Sequence, residues 1–125
     1  MSTASLKLQQ AAVPAQLPAM PIEPAEWIKE GNPEARGAVL NQSADKRLSS
    51  GIWSCTPGKF EWRYTWDEFV QVLEGEVVIT EDGGESYTLK PGDCVHFPKG
   101  LHAHWNVVKT VRKFFVLNTD EPLTL

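Results

Sequence analysis

Lys90-Pro91-Gly92-Asp93-Cys94-Val95-His96-Phe97-Pro98-Lys99-Gly100 sets a proline–glycine turn on each side of a short apolar run. No helix crosses either end, because proline lacks the amide donor and glycine favours turn backbone. A short strand fits between them, with Val95 and Phe97 on one face and Cys94 and His96 on the other. The same punctuation recurs upstream at Asp82-Gly83-Gly84, Glu74-Gly75 and Thr56-Pro57-Gly58. Short runs rich in β-branched and aromatic residues lie between turns: Phe69–Leu73, Val77–Thr80 and Phe114–Leu117. Asp82-Gly83 supplies the positive φ angles of a hairpin joining Val77–Glu81 to Glu85–Leu89. Strands at this spacing predict an all-β sandwich or barrel.

Further out, Trp27 to Ser50 adds outer strands, with Ala38-Val39-Leu40 the clearest of them. Met1 to Pro24 contains Pro14, Pro18, Pro21 and Pro24, a density that forbids a helix and favours an extended arm. The arm is expected either to form a partly ordered tail or to lie across a partner subunit. The expected division is an arm over residues 1–24 and one domain over 25–125, with its informative part at about 51–118. A chain of 125 residues suits one core. With 12 basic against 16 acidic residues it lacks the basic excess of a nucleic-acid or anionic-membrane binder. Met1 to Pro24 has no long apolar run, so neither a signal peptide nor a span is expected there. Two cysteines, Cys55 and Cys94, make no disulfide framework, so we expect a reduced, cytoplasmic protein in which both are small buried hydrophobes.

Alternation assigns the faces. Phe60, Trp62 and Tyr64 should point inward, since Glu61 and Arg63 alternate with them. In Val111-Arg112-Lys113-Phe114-Phe115-Val116-Leu117 each face carries one cation: Lys113 beside Val111, Phe115 and Leu117, and Arg112 beside Phe114 and Val116. Either could face the interior.

The segment resembles the cupins, whose first motif reads G-x5-H-x-H-x3-4-E-x6-G and second G-x5-P-x-G-x2-H-x3-N. Glu68 and Gly75 match the tail of the first; Gly92, Pro98 and Gly100 match the start of the second. Trp62 to Glu68, Val72 to Glu76, Phe97-Pro98-Lys99-Gly100, Trp105 and Val111-Arg112-Lys113 are similar to one branch, the DUF861-like cupins. That branch holds ureidoglycine aminohydrolase cupin domains and ethanolamine-utilisation cupins. The resemblance implies a single RmlC-like jelly-roll β-barrel, usually dimeric, with a pocket inside.

It also implies three His and one Glu for a metal, and here the chain departs. Counting back from Glu68 in the three-residue register puts Tyr64 and Trp62 at the first two His positions. The four-residue register puts Arg63 and Glu61 there. The third His falls on Ala103 in either case. We therefore expect no metal in the pocket and no cofactor. His102 and His104 have the two-apart spacing of a metal pair, but inward Ala103 and Trp105 would turn both away from the pocket. With His96 they are expected on the outer face or at a subunit boundary, with an atypical metal site as the alternative.

The candidate ligand-binding set is then Trp62, Tyr64, Glu68, Trp105 and Lys113, with Glu68 the candidate catalytic acid or base. A carboxylate among indoles needs a compensating cation, and Lys113 and Arg63 compete for that place. Tyr64 is expected to hold Glu68 through its hydroxyl. Two functions follow. One is a metal-independent cupin that binds, and by acid–base chemistry acts on, a small polar metabolite. The other is a non-catalytic binding or scaffold module, with the indoles as mere core. A homodimer is expected for both, built through the arm or the Ala38–Leu40 strand.

Overall fold

In the computed structural model, which describes residues 7–124, the turns fall largely where glycine and proline dictate. A 3-10 turn at Ala25–Trp27 leads into β1 (Ile28–Glu30), β2 (Ala35–Gln42) and β3 (Leu48–Cys55). Then follow β4 (Gly58–Arg63), β5 (Asp67–Glu81), β6 (Ser86–Leu89), β7 (Cys94–Phe97) and β8 (His102–Asn118). The ladders are antiparallel, in the order β1-β4-β8-β3-β2, with β5 joining β8 and carrying β6 and β7. The all-β expectation holds.

Two long strands, β5 and β8, take in three of the expected short ones, Phe69–Leu73, Val77–Thr80 and Phe114–Leu117. β8 pairs with β4 through His102–Val107 and with β3 through Val111–Asn118, while β5 borders it along both stretches. Each strand therefore spans both halves of the curled sheet, and the register between them slips around Glu74–Val77. Gly75 sits at the slip with φ +86°, and a Cβ there would lie 2.1 Å from the Thr110 carbonyl oxygen. The Glu74-Gly75 turn expected from sequence is thus a β-bulge inside β5. Turn and bulge both ask for glycine at positive φ, so local composition does not separate them.

Inward residues from every wall meet in one core, among them Phe60, Val72, Val77, Phe97, Val107 and Val111. Each such apolar side chain contributes about 1.5–3 kcal/mol by leaving water. Cys55 belongs to this core, and burial pushes its thiol up to about 12. Cys94 does not: it takes the outward phase of β7 with His96 and is exposed, which corrects the expectation of two buried thiols.

The proline-rich segment lies on its own barrel. Leu17 and Ile22 are buried, the Met20 amide donates to the Ala35 carbonyl, and the Gly37 amide donates to the Pro18 carbonyl. These bonds occupy the outer edge of β2, which would otherwise offer unpaired backbone groups. What was expected of residues 1–6 lies outside the described residues. No helix among the described residues is long and apolar enough to cross a membrane.

Candidate functional site

Inward residues of β4, β5, β8 and β3 converge on one partly open cavity of about 930 Å³. β4 contributes Phe60 and Trp62, and its phase continues past the strand end through Tyr64 and Trp66 to Glu68 at the start of β5. β8 contributes Trp105 and Lys113, and β3 contributes Trp53, which stands opposite Lys113 in the ladder. Met20, Pro21 and Ile22 of the arm and Leu123 near the chain end form part of the rim. All five candidate ligand residues therefore reach one space, and the indoles wall it without filling it.

The polar centre is an ion pair. Lys113 Nζ donates to Glu68 Oε2 at 2.6 Å, with the two side chains 8% and 6% exposed. Trp66 Nε1 donates to the other oxygen, Oε1, at 3.1 Å. The ammonium also faces the rings of Trp53 and Trp105, at 4.6 and 5.0 Å from their centroids, so the indoles share in holding its charge. Lys113 is thus held on its anionic side by Glu68 and on its apolar sides by aromatic faces. Packing of this kind requires the extended phase of β8, which sets Lys113 between the buried Val111 and Phe115.

Tyr64 does other work than expected. Its hydroxyl accepts from Trp105 Nε1 at 3.2 Å, and its ring stacks on Phe97 at 4.8 Å. Burial first, and the neighbouring Glu68 charge second, push the phenol well above its ordinary value. The indole of Trp66, not Tyr64, holds the carboxylate. Arg63 is turned out toward Glu61 at 3.6 Å, and Arg112 lies on the outward phase of β8, so neither faces the pocket. Trp53 and Trp66 are the residues the sequence reading omitted. Counting in twos from Phe60 through Tyr64 reaches Trp66 and Glu68, a signal present in the chain. Trp53 had no such signal, because its neighbour Ile52 is buried as well.

The residues present do not fit the interior metal of the cupin fold. Trp62, Tyr64 and the fully buried Ala103 offer no imidazole, which leaves Glu68 alone of the four expected ligands. The histidines point outward. His96 stacks on Phe69 at 4.4 Å, and its Nε2 lies 2.9 Å from Asp67 Oδ1. His102 and His104 sit across the barrel wall from the pocket, beside Glu61 and Asp82.

The family described as the EutQ-like cupin domain matches residues 42–115, more than half of the chain. The acetate kinase EutQ of Salmonella typhimurium is 27% identical over 78 residues, which are 62% of this chain and 34% of that protein. The chain thus spans about a third of the length of that curated relative. A crystal structure of a DUF861-family protein of unknown function from Pseudomonas syringae pv. tomato superposes with a TM-score of 0.76 at 25% identity. That match covers 87% of this chain and 52% of the other. A DUF861-family protein from Thermotoga maritima is 41% identical, with a TM-score of 0.52, over 53% of this chain and 75% of its own.

Proposed function

The chain belongs to the family of EutQ-like cupin domains, and from that premise we propose that it binds a small polar metabolite in the barrel without a metal. The observation that carries this reading is a buried Glu68–Lys113 pair set in the wall of an open cavity. A pair serving only the core would be sealed by apolar side chains; here water or a ligand can reach it. Lys113 supplies donors for a carboxylate or carbonyl, Glu68 supplies acceptors for an N–H or O–H, and the indoles take a planar or apolar body. A ligand with a donor and an acceptor a few ångströms apart satisfies both. In the catalytic form of this reading, Glu68 accepts or returns a proton on the ligand while Lys113 polarises the adjacent oxygen.

The proposed unit is residues 25–125, with residues 1–24 as an arm of which Pro18 to Glu23 trim the mouth. Its proposed partner is a second copy of the chain, not a nucleic acid or a membrane. Support comes from the outer face of β5, β7 and β8, where Phe69 is 54% and Phe114 37% exposed. Together with Val95, His96 and Val116 they line a shallow groove that carries no lysine, arginine or carboxylate. An apolar face of this kind pairs with its own copy in an isologous contact. The proposed compartment is the reducing cytoplasm, in keeping with an unbridged Cys55 and Cys94.

The test is a thermal-stabilisation screen of chelator-treated protein against small carboxylic acids, amides, ureas and amines, acetate among them. A stabilising compound that loses its effect in both Glu68→Gln and Lys113→Met supports the pocket. No stabilisation by any compound, with the fold intact, favours the scaffold function instead.

A further inference from the structure

On the opposite side of the barrel wall from the pocket, β4 and β8 lie in register with Glu61 opposite His104 and Arg63 opposite His102. The two-residue period of β8 turns both imidazoles outward, 4.8 Å apart between centroids, onto the face that also carries Glu61. One donor atom from each of Glu61, His102 and His104 lies within 4.8 Å of the others. The hairpin after β5 brings Asp82 to the same place, and its amide donates to the His102 carbonyl at 3.0 Å.

His102 is set between two carboxylates. Its Nε2 faces Glu61 Oε2 at 3.4 Å, while its Nδ1 faces Asp82 Oδ2 at 3.5 Å. Nε2 is out of contact with water and makes no hydrogen bond, an expensive arrangement for a polar nitrogen. A metal ion between His102 and Glu61 would satisfy it. Tetrahedral zinc at about 2.0–2.2 Å from nitrogen and oxygen sets its ligand atoms about 3.4 Å apart. The His102–Glu61 separation already has that value. Asp82 is then the carboxylate that faces the Nδ1–H of a ligating histidine as its acceptor and fixes its ring, an arrangement common around zinc. His104 Nε2 lies 3.6 Å from the other oxygen of Asp82, so the same carboxylate steadies both rings.

We propose that Glu61, His102 and His104 form a site for a first-row divalent metal ion on the outer wall of the barrel, with Asp82 as the positioning residue. Two imidazoles and a carboxylate suit zinc, nickel or cobalt over magnesium or calcium, which prefer oxygen alone. Half-exposed His104 leaves a way in for the ion and a free coordination position for water or a ligand. Lys29 at 3.8 Å and Arg63 at 3.6 Å face Glu61 from β1 and β4 and balance its charge when no metal is bound. The ion therefore displaces two exposed cations, whose long side chains are free to swing into water.

The test is equilibrium dialysis of the full, chelator-treated chain against zinc, with cobalt absorption as a second readout of nitrogen ligation. The wild type should bind one equivalent. Replacing both ligating histidines, His102→Gln with His104→Gln, should abolish binding. Asp82→Asn should weaken it about 10- to 100-fold. His96→Ala removes the remaining histidine, on another wall, and should leave binding unchanged. Glu61→Gln, close in shape, reports on the carboxylate without emptying the face, and it should bind at least about 10-fold more weakly. Circular dichroism of each variant confirms that the barrel is retained. Absence of stoichiometric binding by the wild type would overturn the site. So would binding that survives the double histidine variant, or that depends on Glu68 in place of Glu61.

Discussion

Replacing Lys113 by Met separates an ion pair from a packing role, because the two side chains have similar length and apolar stems. The wild-type ammonium stands 2.6 Å from a carboxylate that is 6% exposed, and it also faces two indole rings. Removing one partner of a buried pair costs about 3–5 kcal/mol, since the remaining charge stays desolvated. Loss of the cation–π contacts adds about 1 kcal/mol. Two features pull the total toward the lower end. Trp66 continues to donate to Glu68, and the open cavity lets water reach the carboxylate. We expect a loss of about 3 kcal/mol, read by urea denaturation at neutral pH. For a chain of this size that is a fall of about 10 °C in Tm. The double variant Glu68→Gln with Lys113→Met removes both charges and should recover part of the loss, with a coupling of about 2 kcal/mol. A single variant within about 0.5 kcal/mol of wild type, or strictly additive effects, would refute the claim that the pair is buried and mutually dependent.

Other outcomes follow from the same structure. A thiol reagent at neutral pH should modify exposed Cys94 promptly and Cys55 only on unfolding, because the Cys55 thiol is buried and raised to about 12; equal rates would contradict the core assignment. Cys55 and Tyr64 both ionise less readily folded than unfolded, so their contribution to stability is full below their unfolded values and lost as pH rises above about 9. Denaturation midpoints that stay flat from there to about pH 11 would contradict this. Gly75→Ala drives a Cβ into the Thr110 carbonyl at positive φ and should cost more than about 1 kcal/mol, whereas Gly83→Ala, with open space around it, should cost less. Phe69→Glu with Phe114→Glu places charges on the apolar face of β5 and β8 and should convert the proposed dimer to a monomer by sedimentation; a wild type that sediments as a monomer would remove that partner.

Much of this was written in two-residue alternation. Phe60, Trp62 and Tyr64 face inward as read, and the phase that groups Lys113 with Val111, Phe115 and Leu117 brings it to Glu68. Alternation stops being informative where a strand is buried on both faces, which is why Trp53 was hidden beside Ile52. It also stops at glycine, where a turn and a bulge have the same requirement; the long β5 becomes visible only once Thr110 is known to lie against Gly75. The choice between Arg63 and Lys113 as partner of Glu68 depended on which strands are neighbours, a non-local fact. Trp66 followed from the same period, carried one step beyond the strand end. The arm was legible as extended, but its docking on β2 rests on Leu17 and Ile22, isolated apolar residues among prolines that carry no periodic signal.

In the proposed function the barrel recognises a small polar molecule through Glu68 and Lys113 with no metal inside. The most direct measurement is a crystal structure of chelator-treated protein with the strongest stabilising compound from the screen. We expect that compound in the cavity, a polar atom within about 3.2 Å of Lys113 Nζ and another within the same reach of a Glu68 oxygen, between the indoles. A compound bound elsewhere, or one that enters the barrel only on a metal ion, would contradict it.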